Sequence, residues 1–214
     1  MFADSMRFAA FAYLGEWLEV DEEAHLILRP DNSATEDQRL ESLYKFAKSY
    51  GVARNFPGRQ AERFRPALRL LDRVRNLHDT VATYNSFVSD IKETYDGYKY
   101  SAASKFLWIR FRSGVRIYDQ NAEAALRHFG HRLGGDEAAW YGRYCNAWQA
   151  EYDAHRAKID DATSFITVKN IGELFGFSNV DTGRIRESTE AAWFQERIFD
   201  HYLYKKGALL RAAS

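Results

Sequence analysis

The sequence has few cysteines, few prolines and no net charge, and each of these features counts against a class of protein. A single cysteine, Cys145, cannot form an internal disulfide framework, which excludes a disulfide-stapled secreted fold and favours a reducing cytoplasm. Only 3 prolines, together with 46% hydrophobic residues, argue against a disordered chain and for packed helices. The 30 basic and 30 acidic side chains cancel, whereas a nucleic-acid-binding domain usually carries excess positive charge.

Long apolar runs are also missing. No stretch approaches the roughly 20 apolar residues of a membrane-spanning helix, and the N-terminus carries Asp4 with no basic leader before an apolar run. We therefore expect a soluble, cytoplasmic protein that does not enter a membrane and that is a monomer. A chain of 214 residues is long enough for a substantial core. We expect residues 1–214 to form a single globular all-α unit, or two interleaved helical lobes with a cleft between them.

Apolar residues recur at helical spacing through most of the chain, and no alternating strand pattern is sustained. The clearest helix begins at a capping box, Thr35 to Gln38, and ends at Gly51, a residue type typical of helix C-termini. We also expect helices over 5–19, 136–158, 167–175 and 187–206. Residues 25–29 are expected to form a strand or an extended segment, and residues 177–183 a loop. The acidic residues Glu16, Glu19, Asp21, Glu22 and Glu23 are expected to form a solvated surface patch. These patterns predict an all-α fold of about nine to ten helices.

The stretch from Tyr95 to Gly130 reads as a loop, a short helix, a tight turn and a second helix. Residues 101–104 are all small, so a backbone or a ligand can approach closely there. Lys105 follows them and has mainly apolar neighbours over residues 106–111. Asp119 occupies a position favoured for the N-cap of the second helix. We expect Lys105 and Asp119 to face a common cleft.

This arrangement resembles the core of the helix-hairpin-helix DNA glycosylases, most closely the oxoguanine-type branch and its small bacterial members. The family's lysine falls on Lys105 and its essential aspartate on Asp119. The resemblance implies a compact helix-hairpin-helix glycosylase-like fold, DNA as the partner, with the target base flipped out of the duplex, and no cofactor. The small size and the unusual hairpin suggest a bulky modified base in invading phage DNA as one substrate.

Cleavage of an N-glycosidic bond needs a carboxylate that stabilises positive charge on the sugar and orients a nucleophile. Asp119 suits that role, and ordinary N-capping explains the same position equally well. Lys105 is suited to attack C1′ as an amine, which would add lyase activity. The alternative is a lysine whose stem lies on the core while its ammonium reaches solvent. In that case Asp119 activates water and the enzyme is monofunctional.

A flipped base needs an aromatic slot and polar groups at its edge. The candidate base-pocket residues are Tyr98, Tyr100, Trp108, Tyr118, Gln120, Asn121 and Asn55. Trp140 and Trp193 are further candidates for stacking. Each of these side chains is alternatively an ordinary core or surface residue.

Positive charge is concentrated between Arg54 and Arg75, where the chain has seven arginines and only two acidic residues, Glu62 and Asp72. Arginine forks match phosphate oxygens, so this segment is a candidate DNA-binding face. The candidate DNA contacts are Arg54, Arg59, Arg63, Arg65, Ser101 and Ser104. The alternative is a solvated helix face in which Asp72 pairs locally with its neighbours.

Metal catalysis lacks support in the sequence. His128 and His131 have a helical spacing, but Gly130 lies between them and no carboxylate completes a site, so we predict no metal. The leading hypothesis is a DNA glycosylase that excises a damaged or modified base. The second is a non-catalytic helical domain that binds DNA or protein through the Arg54–Arg75 face. The third hypothesis is a different enzyme on an all-α scaffold.

Overall fold

In a computed structural model, which describes residues 6–166 and 182–213, every regular element is a helix. The predicted all-α fold is therefore confirmed. The α-helices are α1 (Met6–Glu16), α2 (Glu22–Leu28), α3 (Glu36–Ser49), α4 (Arg65–Arg73), α5 (Thr80–Tyr95), α6 (Tyr100–Phe111), α7 (Gln120–His128), α8 (Glu137–Ala154), α9 (Arg156–Ser164), α10 (Thr182–Glu190) and α11 (Ala192–Ala212). A π-helical turn, Trp17–Asp21, follows α1, and 3₁₀ turns occur at Ala53–Asn55 and Ala61–Phe64.

The chain divides into two compact units, each assembled from separate segments. Unit 1 comprises Met1–Gly15, Asp119–Leu133 and Arg143–Ser214, and unit 2 comprises Glu16–Tyr118 and Gly134–Gly142. Within the described residues, no helix is long and apolar enough to cross a membrane. The first residue of the helix predicted over 5–19, the predicted helix over 167–175 and most of the predicted loop over 177–183 lie outside the described residues.

Helix α3 forms as its sequence predicts. Thr35 accepts a hydrogen bond from the Gln38 amide at 3.3 Å, and the Gln38 side chain accepts one from the Thr35 amide at 2.9 Å. These two bonds satisfy amides that a helix start otherwise leaves without a partner. The helix ends at Ser49, and Gly51 follows with a φ of 66°, a left-handed conformation that glycine adopts without strain.

Residues 25–29 are not a strand, because the segment lies in and just after α2. Ala24 and Leu28 are four residues apart, and both are buried on one side of that helix. His25 lies beside them and its Nδ1 is 2.8 Å from the Ile109 carbonyl oxygen. Burial, reinforced by the nearby Arg112, lowers the pKa of His25 to about 4, so the ring is neutral at pH 7.

The predicted acidic patch is wrong at Asp21. This carboxylate has 0% exposure, and Tyr50 donates its hydroxyl to it at 2.7 Å. A carboxylate is buried only where polar partners replace water, and the Tyr50 hydroxyl is such a partner. Glu19 and Glu23 are exposed, as the sequence predicts.

A buried arginine joins three helices of unit 2. Arg110, on α6, is 1% exposed and donates to the carbonyl oxygens of Leu28 at 2.9 Å and Val74 at 3.0 Å. These carbonyls belong to the C-terminal ends of α2 and α4, which have no partner inside their own helices. Asp72 compensates the charge, at 3.3 Å from Arg110 and in contact with Arg39. Asp72 is therefore engaged by arginines from α3 and α6, and the expected local pairing on α4 is wrong.

The helix predicted over 136–158 is two helices, α8 and α9. The chain turns at His155 and separates α8 from α9, and the predicted terminal helix is likewise divided into α10 and α11. Four aromatic residues of α8 are buried in the core. They are Tyr141, Tyr144, Trp148 and Tyr152.

Arg197, on α11, carries a buried positive charge. Its side chain is 3% exposed and forms an ion pair with Asp200 at 3.0 Å. Asp200 also accepts a hydrogen bond from the Trp148 indole at 2.7 Å. Because two donors meet one carboxylate, the buried charges are compensated and Arg197 offers no positive surface.

Replacing Arg110 with methionine should destabilise the protein by about 3–5 kcal/mol, the usual cost of breaking a buried charge pair. The change leaves two helix-end carbonyls unpaired and Asp72 with one arginine fewer. Chemical denaturation measures the loss. Arg69→Met is the control, because Arg69 is exposed and lies 3.8 Å from Glu36, so it should cost less than about 1 kcal/mol. Equal losses in the two variants would contradict this role for Arg110.

Candidate functional site

The small residues at the start of α6 accommodate the protein's own backbone. Ala102, Ala103 and Ser104 are buried, and the Ser104 hydroxyl donates to the Ser101 carbonyl at 3.1 Å. The same hydroxyl accepts a hydrogen bond from the Tyr118 amide at 2.9 Å. Ser104 has 0% exposure, so it has no surface for a DNA phosphate, and its predicted DNA contact is replaced by a structural one.

Lys105 is buried beside this contact. Its side chain is 5% exposed, and its Nζ donates to the Ser101 hydroxyl at 2.6 Å. The ammonium is therefore engaged by the hydroxyl of a residue one helical turn earlier on α6. The alternative expectation, an ammonium that reaches solvent, does not describe this side chain. Ser101, which is half-buried, is the serine that contacts the amine.

Asp119 is the N-cap of α7. Its backbone is extended, with φ −146° and ψ 146°, and its carboxylate accepts the Asn121 amide at 2.9 Å. The predicted capping position is confirmed, and the hydrogen bond fixes the orientation of a half-buried carboxylate. Asp119 belongs to unit 1 and Lys105 to unit 2. The common cleft expected for these two residues stays a prediction.

Three of the predicted base-pocket residues form one aromatic cluster in unit 2. The rings of Tyr98 and Tyr100 are parallel within 6° and 5.0 Å apart. Trp140 lies 5.5 Å from Tyr100 and meets Tyr118 edge to face at 4.7 Å. Lys92 is placed over the Tyr98 ring, with Nζ 4.1 Å from the centroid. The cluster reaches the surface at Tyr98, which is 43% exposed.

The other base-pocket candidates lie outside this cluster. Trp108 is 1% exposed and belongs to the core of unit 2, so the structure does not present it to a ligand. Asn55 is exposed in a 3₁₀ turn. Gln120 is exposed at the first position of α7, and the Asn121 side chain accepts a hydrogen bond from Arg211 at 3.1 Å. Trp193 is half-buried on α11.

The positive charge of the Arg54–Arg75 segment is partly neutralised by acidic side chains of unit 2. Arg65 contacts Glu36 at 2.6 Å and Glu62 at 2.8 Å, and it reaches Asp37 at 3.3 Å. Arg63 donates to the Gly58 carbonyl at 3.0 Å. These two predicted DNA contacts are thus committed to internal partners.

Other arginines of the segment keep their charge at the surface. Arg54, Arg59, Arg73 and Arg75 are exposed, and within residues 6–166 and 182–213 no hydrogen bond or ion pair engages them. Arg54 and Arg59 are the two of these four that the sequence analysis named as DNA contacts. They lie in and after the 3₁₀ turn Ala53–Asn55.

The histidines of unit 1 have protein partners. His131 lies 2.8 Å from the Glu151 carboxylate through Nε2, and the Nδ1 of His155 lies 2.8 Å from the Glu151 carbonyl oxygen. His128 is exposed at the end of α7. In the part of the chain that the structure describes, no group of three His, Cys, Asp or Glu residues could hold a metal ion.

Two residues of unit 1 that the sequence does not single out lie beside Asn121, whose amide donates to Asp119. Gly207 and Arg211, both on α11, contact Asn121 in the first turn of α7. A glycine within a long helical pattern is the signal in the sequence that points to such a close approach.

No protein-family model matches this chain, and no curated protein or solved structure matches it either.

Reversing Arg54 and Arg59 to glutamate should weaken DNA binding and lower the slope of log Kd against log salt by about 2, one unit for each lost phosphate contact. Salt titration by fluorescence anisotropy measures both quantities. The control reverses Arg156 and Arg186, which are 52% and 81% exposed in unit 1 and bring the same change of net charge. If both double variants weaken binding equally, the effect is one of overall charge and Arg54 and Arg59 form no specific DNA contact.

Proposed function

We propose that this protein is a DNA glycosylase that cleaves the N-glycosidic bond of a damaged or modified base and leaves an abasic site. The observation that carries the proposal is the carboxylate of Asp119, fixed at the start of α7 by the Asn121 amide at 2.9 Å. A preoriented carboxylate is the group that this reaction needs, because positive charge grows on the sugar as the base departs. The charged oxygen then stabilises the transition state more than the ground state.

The nucleophile is either water or the amine of Lys105. If it is water, its oxygen forms the new bond to C1′, the bond to the base nitrogen breaks, and the base leaves with that electron pair and takes up a proton. If it is Lys105, its deprotonated nitrogen forms the bond to C1′ as the bond to the base nitrogen breaks. The base leaves with that electron pair and takes up a proton equivalent to the one that the amine loses, and the sugar ring then opens to an imine. Lys105 now donates to Ser101 at 2.6 Å and is 5% exposed, so this second route requires the amine to leave that hydrogen bond.

Base recognition is assigned in this proposal to the aromatic cluster of unit 2. Tyr98 and Tyr100 are stacked at 5.0 Å, and Tyr98 keeps 43% of its surface exposed. Aromatic faces bind any base with little dependence on its identity. An exposed edge also leaves room for a substituent on the base, which supports bulky modified bases of phage DNA as substrates beside damaged ones.

A non-catalytic DNA-binding domain is the second candidate. The exposed positions of Arg54 and Arg59 favour it, because they need only a phosphate backbone as a partner. That function predicts binding without any chemical change in the DNA, so one assay separates the two candidates.

The test is incubation of the purified protein with duplexes that each carry one altered base: an oxidised purine, an alkylated purine, a deaminated pyrimidine, or a glucosylated pyrimidine. We expect release of at least one of these bases, seen as free base by mass spectrometry and as an abasic site by strand cleavage in alkali. Binding to every duplex without release would instead assign the protein to the non-catalytic class.

The same reactions quenched with borohydride identify the nucleophile. An imine between Lys105 and the sugar is reduced to a covalent protein–DNA adduct, which should be absent from Lys105→Met. Lys45→Met is the matched control, because Lys45 is an exposed lysine of the same unit and its replacement should leave the adduct intact. Base release without any adduct in the wild type would exclude Lys105 as nucleophile and assign the attack to water.

A further inference from the structure

The first turn of α7 is in backbone contact with α11. A Cβ atom built on Gly207 would lie 1.7 Å from the Asn121 carbonyl oxygen and 2.4 Å from its carbonyl carbon. Both distances are far shorter than non-bonded atoms allow, so only glycine lets the two helices approach this closely. The contact involves Asn121, the residue whose amide hydrogen-bonds to Asp119.

A second contact reaches the same residue through side chains. Arg211, one helical turn after Gly207, donates from Nη1 to the Asn121 Oδ1 at 3.1 Å. Asn121 is thus held by α11 at its carbonyl and at its side chain, while its amide holds the carboxylate of Asp119 at 2.9 Å. Arg211 and Asp119 are joined by two consecutive hydrogen bonds through one residue.

Helix α7 depends on these contacts because it is short. It has 9 residues, from Gln120 to His128, and helices of that length are marginal without packing. Its buried side chains, Ala122, Ala125 and Leu126, include two alanines with little apolar surface. The orientation of its first turn is therefore set by α11, and the carboxylate of Asp119 follows that orientation.

We propose that Arg211 is a positioning residue for Asp119, acting through Asn121 on a first turn that Gly207 allows α11 to approach. The proposal rests on the glycosylase function proposed above. Arg211 itself needs no contact with the DNA in this role. We expect Arg211 to affect only the chemical step, because it fixes the orientation in which the Asp119 carboxylate stabilises the positively charged sugar.

The test compares single-turnover base release, with protein in excess, and DNA affinity in four variants. Arg211→Ala should lower the rate about 100-fold, the size of effect expected from a small misplacement of a catalytic group, with little change in Kd. Arg211→Lys keeps a donor and should recover most of the rate. Asn121→Ala should be slowed similarly, and the double variant Arg211→Ala/Asn121→Ala should be no slower than either single one, because both remove the same connection.

Arg127→Ala is the control, since Arg127 is an exposed arginine of α7 that pairs with Glu123 and should leave the rate unchanged. The positioning role is overturned if Arg211→Ala raises Kd and leaves the rate at saturation intact, which is the behaviour of a phosphate contact. Multiplying rate losses in the double variant would also overturn it, because they indicate independent actions.

Amide hydrogen exchange at Asn121 separates this proposal from the function it rests on. The exchange rate reports how firmly the Asp119 cap is held, and it needs no DNA. Faster exchange at Asn121 in Arg211→Ala than in Arg127→Ala supports the positioning role even if no base is ever released, in which case the glycosylase function alone fails. Unchanged exchange overturns the positioning role whatever the activity.

Discussion

The close approach of α11 to α7 at Gly207 is the constraint on which the proposed site depends. A side chain at this position would overlap the Asn121 backbone, with its Cβ 1.7 Å from the carbonyl oxygen. The contact gives a short helix a fixed first turn, and the N-cap carboxylate of Asp119 takes its direction from that turn. The proposed catalytic carboxylate is thus oriented by packing against α11, a helix that lies far from it in the sequence.

Small residues have a comparable role in unit 2. The buried start of α6 admits the backbone of Tyr118, whose amide donates to the Ser104 hydroxyl at 2.9 Å. The neighbouring Ser101 holds Lys105 at 2.6 Å. Tyr98 is engaged by two neighbours, because Tyr100 stacks on it at 5.0 Å and the Lys92 ammonium donates to its hydroxyl at 2.7 Å.

The features that sequence alone predicts are those set by near neighbours in the chain. The capping box of Thr35 and Gln38 and the N-cap of Asp119 each involve residues within three positions, and the structure has both. The short apolar run at 25–29 is ambiguous because strand and buried helix share that pattern, and here the helix forms. Burial of charge was missed at Asp21 because its partner, Tyr50, is 29 positions away and reaches it only through tertiary packing.

In the candidate site, too, the features set by near neighbours are predictable from the sequence and those set by tertiary packing are not. Residue types and their local positions in the sequence are enough to select Asp119, Lys105 and the tyrosines at 98, 100 and 118 as candidate site residues. Sequence spacing does not reveal that Arg65 is already engaged by Glu36 and Asp37 from another helix, at 2.6 Å and 3.3 Å. It also does not reveal that α11 packs on α7, because this pairing joins residues that are 90 positions apart.

The most direct measurement of the central claim is the rate of base release by Asp119→Asn beside Asp79→Asn. Both aspartates cap a helix, with cap hydrogen bonds of 2.9 Å in each case, so asparagine preserves the cap at both positions. If the carboxylate of Asp119 stabilises the departing sugar, its variant should lose about 100-fold or more of the rate while melting temperature and DNA affinity stay unchanged. Asp79→Asn should remain fully active. Equal rates in the two variants and the wild type would show that Asp119 is only a cap, and would contradict the assignment.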